Sequence, residues 1–202
     1  MATVTATRSE LLARRSRERI ALRGHAVLTR KRAALIAELR RVGLEVGDRR
    51  AELERAAAAA RRALGQAVVT DGPQAVGSAA IAASREISAE VTSRSVAGVP
   101  VLGLDADRVA RARTGRGYAL LASTATIDRV AEAFETELDA LLELVAAELN
   151  LRRLTLEVAR VTRQVNALEQ VVIPRLAAEQ RYIAATLEQR ALEDRVRTSR
   201  RA

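Results

Sequence analysis

From Arg8 to Leu64 the chain runs without a Pro, and apolar residues recur at alternating steps of four and three: Leu35, Leu39, Val42, Val46, Leu53, Ala56 and Ala60. That spacing places the side chains on one stripe of an α-helix, at heptad positions a and d, and predicts a seam for one partner helix. Arg49 is the charged intruder in this stripe. Gly24, Gly43 and Gly47 stand singly among helix formers, so each weakens the helix without ending it. A second block opens near Ser123 with Ile127, Ala131, Phe134, Leu138, Leu141 and Val145 in the same rhythm. It resumes in a new phase as Leu154, Val158, Val161, Val165, Leu168 and Val172, which predicts a register shift between Leu149 and Arg153. Pro174 removes a backbone donor and crowds the preceding turn; because Ile183 and Leu187 restore the four-residue step, a bend is expected there and not a terminus.

The middle of the chain is different. Gly72, Gly77, Gly98, Gly103, Gly115 and Gly117, with Pro73 and Pro100, exclude a continuous helix over 66–122. Asp71-Gly72-Pro73 reads as a turn, Ala75–Ser95 as a short Ala/Ser-rich helix, and Val96–Leu104 as an extended, β-prone segment. Helices over 8–64 and 123–202 would run about 85 Å and about 120 Å, too long to be buried inside a chain of 202 residues. The expected fold is therefore all-α: a long antiparallel two-helix coiled coil of an N-terminal helix (1–65) and a C-terminal helix (123–202). A small head with a short helix and a β-hairpin (66–122) is inserted between them. With equal rise on both strands, facing residue numbers sum to about 191, which sets Gly24 and His25 opposite Asn166 and Ala167, the small Gly24 and Ala167 permitting close approach.

Composition removes most catalytic chemistry. There is no Cys, so no thiolate nucleophile or thiolate metal site, and one His, His25, which excludes zinc motifs and triads built on several histidines. His25 reads as a polar residue of the seam. Arg111, Arg113 and Arg116 near Gly115 and Gly117 lack the phosphate-loop spacing and read as a solvated or partner-binding loop. Asp128, Glu132, Glu135, Glu137, Asp139 and Glu143 lack calcium-loop spacing and are expected to fan around a helix. No cofactor or metal is implied. The first residues lack the apolar core of a secretory signal and no window suits a membrane span, so a cytoplasmic location and no direct membrane insertion are expected.

Several segments resemble the D subunit of the V-type and A-type rotary ATPases. They are TRSELLARR and RGHAVLTRKRAALIAEL near the start, GYALLASTATIDRVAEAFETEL, and above all RQVNALEQVVIPRL over Arg163–Leu176. The resemblance covers nearly the whole chain. It implies a non-catalytic central rotor shaft that couples ATP synthesis or hydrolysis to H⁺ or Na⁺ transport. The terminal helices would enter a hexamer of catalytic A and B subunits. The lower part would bind the F subunit, and a further component would dock it on the membrane rotor, so the chain would be peripheral to the membrane. Gly24, His25, Asn166, Leu168, Glu169, Val172, Pro174 and Arg175 become the candidates for shaft packing and coupling, with Asn166 a register-fixing residue.

The formal charge of +9 also fits a basic coiled-coil scaffold or a nucleic-acid-binding protein. Single-strand binders, however, use aromatic stacking platforms, and the only Phe and Tyr residues here are Phe134, Tyr118 and Tyr182, with no Trp. The charge is also segmented. Residues 1–65 carry 16 basic and 7 acidic side chains, residues 126–150 carry 1 and 7, and residues 151–202 carry 11 and 6. The acidic stretch is expected to face the Arg-bearing later half of the first helix, leaving the two ends of the chain as a basic tip.

Overall fold

The computed structural model describes residues 5–106, 109–112, 115–118 and 124–199. Arg113 and the start of the second block at Ser123 lie outside them. Helix α1 spans Arg8–Asp71, α2 Pro73–Ala82 and α3 Ala125–Ala167; a π-helical segment covers Leu168–Val172, and α4 follows over Ile173–Ser199. Strands β1 (Ala89–Val96) and β2 (Val99–Ala106) form one antiparallel hairpin. A long N-terminal and a long C-terminal helical stretch thus flank a small sheet, as the periodicity predicts. Among the described residues no helix is long and apolar enough to cross a membrane.

The helix expected to close near Gly65 continues to Asp71. It stops where Gly72 takes φ 80°, a left-handed conformation available to Gly, and Pro73 opens α2 at a position needing no N–H. The helix expected over Ala75–Ser95 ends much earlier, at Ala82, and residues 89–96 are strand. The β-branched residues Val91, Thr92 and Val96 favour the pleat, and pairing Val96 with Val99 lets the hairpin bury Val99 and Val101. The two-residue turn puts both Ala97 (φ 50°) and Gly98 (φ 79°) in the left-handed region, as hairpin twist requires. Ala carries a steric penalty there. Ala97→Gly is expected to raise stability by about 0.5–1 kcal/mol, read from the midpoint of urea unfolding.

The chain divides into two compact units. In the unit of residues 37–156, α1 contributes buried Val42, Val46, Ala60 and Ala67. Glu143 and Glu148 of α3 pair with Arg49 and with Arg50 (2.7 Å) of α1, which matches the expected facing of the acidic and Arg-bearing stretches. These two acids bracket the face of α3 that carries Ala140, Leu144, Ala147 and Leu151, and Leu151 lies beside Gly43. The stripe expected to form this seam, Phe134, Leu138, Leu141 and Val145, stays part-exposed on another face. Both stripes follow a four-then-three rhythm. The one with Ala at two levels wins because small residues let the helices approach closely, while the flanking carboxylates meet arginines.

In the unit of residues 1–36 and 157–202, Leu35, Val161, Val165, Leu176 and Ile183 are buried. Antiparallel pairing is marked by Lys31 with Glu157 at 2.9 Å, Arg14 with Glu179 at 2.7 Å, and Arg190 donating to the Ala6 carbonyl at 3.0 Å. The buried and half-buried positions Leu154, Val158, Val161, Val165 and Leu168 continue the spacing of Ala140, Leu144, Ala147 and Leu151 without interruption. The phase change expected between Leu149 and Arg153 is therefore absent. The preceding turns bury a different stripe from the one that predicted it, and the real break in spacing lies in the π segment.

Candidate functional site

The first candidate site is the stretch of helix around Pro174. The Ile173 N–H donates to the Leu168 carbonyl, five residues back, so this turn holds one residue more than an α-turn. Pro174 has no N–H with which to repeat that bond to the Glu169 carbonyl. The extra residue moves the seam: after Leu168 the inward positions are Ile173, Leu176, Gln180, Ile183 and Leu187, a single step of five followed by the ordinary rhythm. Gln180 fills its level by donating to Glu18 at 2.7 Å and to the Arg14 carbonyl at 3.3 Å. Val172, in step with the seam in a regular helix, is 37% exposed.

Across the seam, His25 Nε2 lies 3.7 Å from a Glu169 carboxylate oxygen. The expected opposition of His25 to Asn166 and Ala167 is thus displaced by about one turn. His25 Nε2 and the Thr29 hydroxyl, one turn apart on α1, are buried with no hydrogen-bond partner among the described residues. Leu168 is half-buried in the seam, whereas Asn166, Glu169, Pro174 and Arg175 are exposed. Asn166 therefore sits outside the seam whose register it was expected to fix. Arg175 bonds Glu179 at 2.9 Å, one turn along its own helix. Gly24 has open space where a Cβ would stand, so the close helix approach expected at Gly24 is not what requires a Gly there. Of the candidates, the structure brings His25 and Glu169 together, keeps Leu168 half-buried in the seam, and leaves Asn166, Val172, Pro174 and Arg175 on the outer surface.

A second site lies in the other unit, where the sequence predicts only a solvated loop. Arg116, 2% exposed, reaches α3 with both arms of its guanidinium, Nε to Glu135 Oε1 at 3.1 Å and Nη2 to Oε2 at 2.9 Å. Its Nη1 lies 3.6 Å from Asp128 and 3.7 Å from Glu132. Tyr118 donates to Asp128 at 2.8 Å, and the Arg111 N–H donates to Glu135 at 3.3 Å. The acids expected to fan around the helix instead converge in part: Asp128, Glu132 and Glu135 are separated by steps of four and three, which is one helical face. That spacing was the available signal. Gly117 (φ 85°) lets the loop turn in, because a Cβ there would collide with the Ala82 carbonyl oxygen. Burial by itself would raise the Glu135 pKa, but the Arg116 hydrogen bonds, the Arg111 N–H and both positive charges hold it below the ordinary 4.5. A carboxylate so paired is a poor proton shuttle; the cluster clamps Arg111, Arg116 and Tyr118 on α3. Beside it opens a cavity of about 550 Å³ walled mainly by Leu64, Val76, Ala79, Ile127, Val130 and Phe134.

Asn150 is a side chain that sequence reasoning missed. It accepts from the Leu102 N–H and donates to the Leu102 carbonyl, both at 2.7 Å, and so fastens β2 to α3.

Comparison with known proteins matches residues 10–200 to the family model of ATP synthase D subunits. The V-type ATP synthase D subunit of Anaeromyxobacter sp. (strain Fw109-5) is 38% identical over 194 residues, 96% of this chain and 90% of that one. The protein of the same description from Anaeromyxobacter dehalogenans (strain 2CP-C) is 36% identical, covering 99% of this chain and 96% of its own. The A-type ATP synthase D subunit of Thermococcus kodakarensis is 34% identical over 197 residues, with 98% and 92% covered.

Proposed function

This chain belongs to the family of ATP synthase D subunits, and from that membership we propose that it is the non-catalytic central-stalk rotor of a V/A-type ATP synthase. It would turn inside the hexamer of A and B subunits, bind the F subunit, and dock on the membrane rotor through a further subunit, coupling nucleotide chemistry to H⁺ or Na⁺ transport. The chain would thus sit on the cytoplasmic side as a peripheral part of the complex. The observation that carries this reading is the unbroken 64-residue α1, held antiparallel to α3 in one unit and to the α3–α4 stretch in the other by cross-helix ion pairs. Such pairing suits a part that transmits torque. Coupling requires only that the chain contact the three catalytic sites differently at each angle and so bias their open and closed states.

On this reading the break in spacing at Leu168–Val172 supplies the asymmetry that a uniform coil lacks. The exposed Asn166, Glu169, Val172, Pro174 and Arg175 form its outward surface, while half-buried Leu168 supports it from within and His25 reaches Glu169 across the seam. Part-exposed Phe134, Leu138, Leu141, Val145 and Leu149 on α3 offer a contact face for a stalk partner. The experiment is reconstitution of the full complex with Val172→Asp. ATP hydrolysis and nucleotide binding by A and B are expected to persist, while ion transport per ATP falls at least several-fold. Undiminished transport in a complex lacking this chain altogether overturns the rotor reading; undiminished coupling in the Val172→Asp complex removes the outward surface from it.

A further inference from the structure

The β-hairpin has two outer edges, and the protein treats them differently. In an antiparallel ladder, residues alternate between those whose N–H and C=O point at the partner strand and those whose two groups point away. Leu102 has both groups turned outward, since Asn150 takes both. Its cross-strand partner is Ser93, so Ser93 must also turn both groups outward, on the opposite edge, together with Ala89, Val91 and Ser95. On the β2 edge the same alternation reaches Pro100, which has no N–H to offer. One edge is therefore interrupted by Pro100 and sealed at Leu102.

The β1 edge carries none of these protections. Its register with β2 is continuous over all eight residues, with no bulge, no Pro and no Lys. Seven of the eight residues are exposed. Among the described residues no hydrogen bond from the protein reaches the backbone groups of Ala89, Val91, Ser93 or Ser95. Proteins normally blunt such an edge, because it is a template for another strand.

We propose that the β1 edge receives an extended segment of another subunit of the ATP synthase, which adds a third strand beside Ala89–Val96. This rests on the chain working within that complex. The main-chain groups of Ala89, Val91, Ser93 and Ser95 supply the hydrogen bonds. Arg94 and Glu90 project to the opposite face from Val91 and Ser93, and Arg94 already reaches back to Glu38 at 3.6 Å. The added strand therefore meets one mildly apolar row, Ala89, Val91, Ser93 and Ser95, and one row with a carboxylate and a guanidinium. Small or β-branched side chains suit the first row. An acid beside Arg94 and a base beside Glu90 suit the second.

Backbone hydrogen exchange, read residue by residue in the free chain and in the assembled complex, tests this. Amides of Thr92 and Arg94 point inward to β2 and are protected in both states. Those of Val91, Ser93 and Ser95 are expected to exchange freely in the isolated chain and to slow by about ten-fold or more on assembly. Ser93→Pro removes one outward N–H and none of the hairpin ladder, so protection at Thr92 and Arg94 persists while the assembly-dependent protection of Val91 and Ser95 is lost. Equal exchange at Val91, Ser93 and Ser95 in the free and assembled states overturns the proposal, as does protection that survives Ser93→Pro. Protection that grows with the concentration of the free chain and not with assembly also overturns it, since the occupant is then a second copy. Failure of the chain to enter the complex at all is a separate result that strikes the rotor reading itself.

Discussion

Arg116→Ala lowers the stability of the unit of residues 37–156 by about 3–5 kcal/mol, because it leaves Glu135, 5% exposed, as a charge without its bidentate partner. The measurement is urea unfolding of the full chain followed by helical circular dichroism. A double variant, Arg116→Met with Glu135→Leu, is expected to recover much of that loss, since removing both charges also removes the cost of burying them. The pair also gives the fold an acid limit. The Glu135 pKa in the folded protein is lower than its ordinary 4.5, so its stabilising contribution is complete above about pH 4.5 and is lost as pH falls through the depressed value. Glu135→Gln is expected to flatten the dependence of stability on pH in that acid window. An Arg116→Ala protein as stable as the parent contradicts the clamp, because a solvated ion pair is worth little.

Ile183→Ala costs about 2–5 kcal/mol, whereas Val172→Ala stays within about 0.5 kcal/mol. Ile183 is wholly buried and Val172 is 37% exposed. The contrast reads the π segment directly. Were the helix regular through Pro174, the seam would pass through Val172 and then reach Arg175, Glu179 and Tyr182, and Ile183 would turn outward. Turning the now exposed Arg175 and Tyr182 in against α1 is unfavourable, while the step of five places Leu176 and Ile183 there instead. The downstream seam therefore selects the π turn, and Pro174 is compatible with it because a lost hydrogen bond costs less at a turn already out of α-register. Comparable losses for the two alanine variants, followed by urea midpoint at constant slope, contradict this assignment.

Much of the fold was legible from spacing. The stripe from Leu35 to Ala60 in α1 is buried or half-buried as its rhythm predicts, and Gly72-Pro73 ends the helix as turn chemistry predicts. The C-terminal stretch was legible as helix but not as to its face. Phe134, Leu138, Leu141 and Val145 share a rhythm with Ala140, Leu144, Ala147 and Leu151, and hydrophobicity favours the first set. Only the partner helix decides, through close approach at Ala140 and Ala147 and through Arg49 and Arg50. The candidate site was half legible in the same way: His25 meets Glu169, about one turn from the equal-rise estimate, whereas Asn166, one residue past the inward Val165, faces outward. Arg116 and Glu135 lie 19 residues apart, across a loop whose path periodicity does not describe.

The sequence by itself determined what depends on local repetition: two long helical stretches, their antiparallel pairing, the breaker-rich insert between them, and a family signature in the run from Arg163 to Leu176. Tertiary structure decided what depends on competition between equivalent local choices. It selected one of two apolar stripes on α3, turned Leu168–Val172 into a π segment, gathered Asp128, Glu132 and Glu135 around Arg116, and sealed one hairpin edge with Asn150 while leaving the other open. The physical reason is common to all four. Each choice is nearly neutral within its own segment and is settled by a contact with residues far away in the chain, which a repeat along one helix cannot encode.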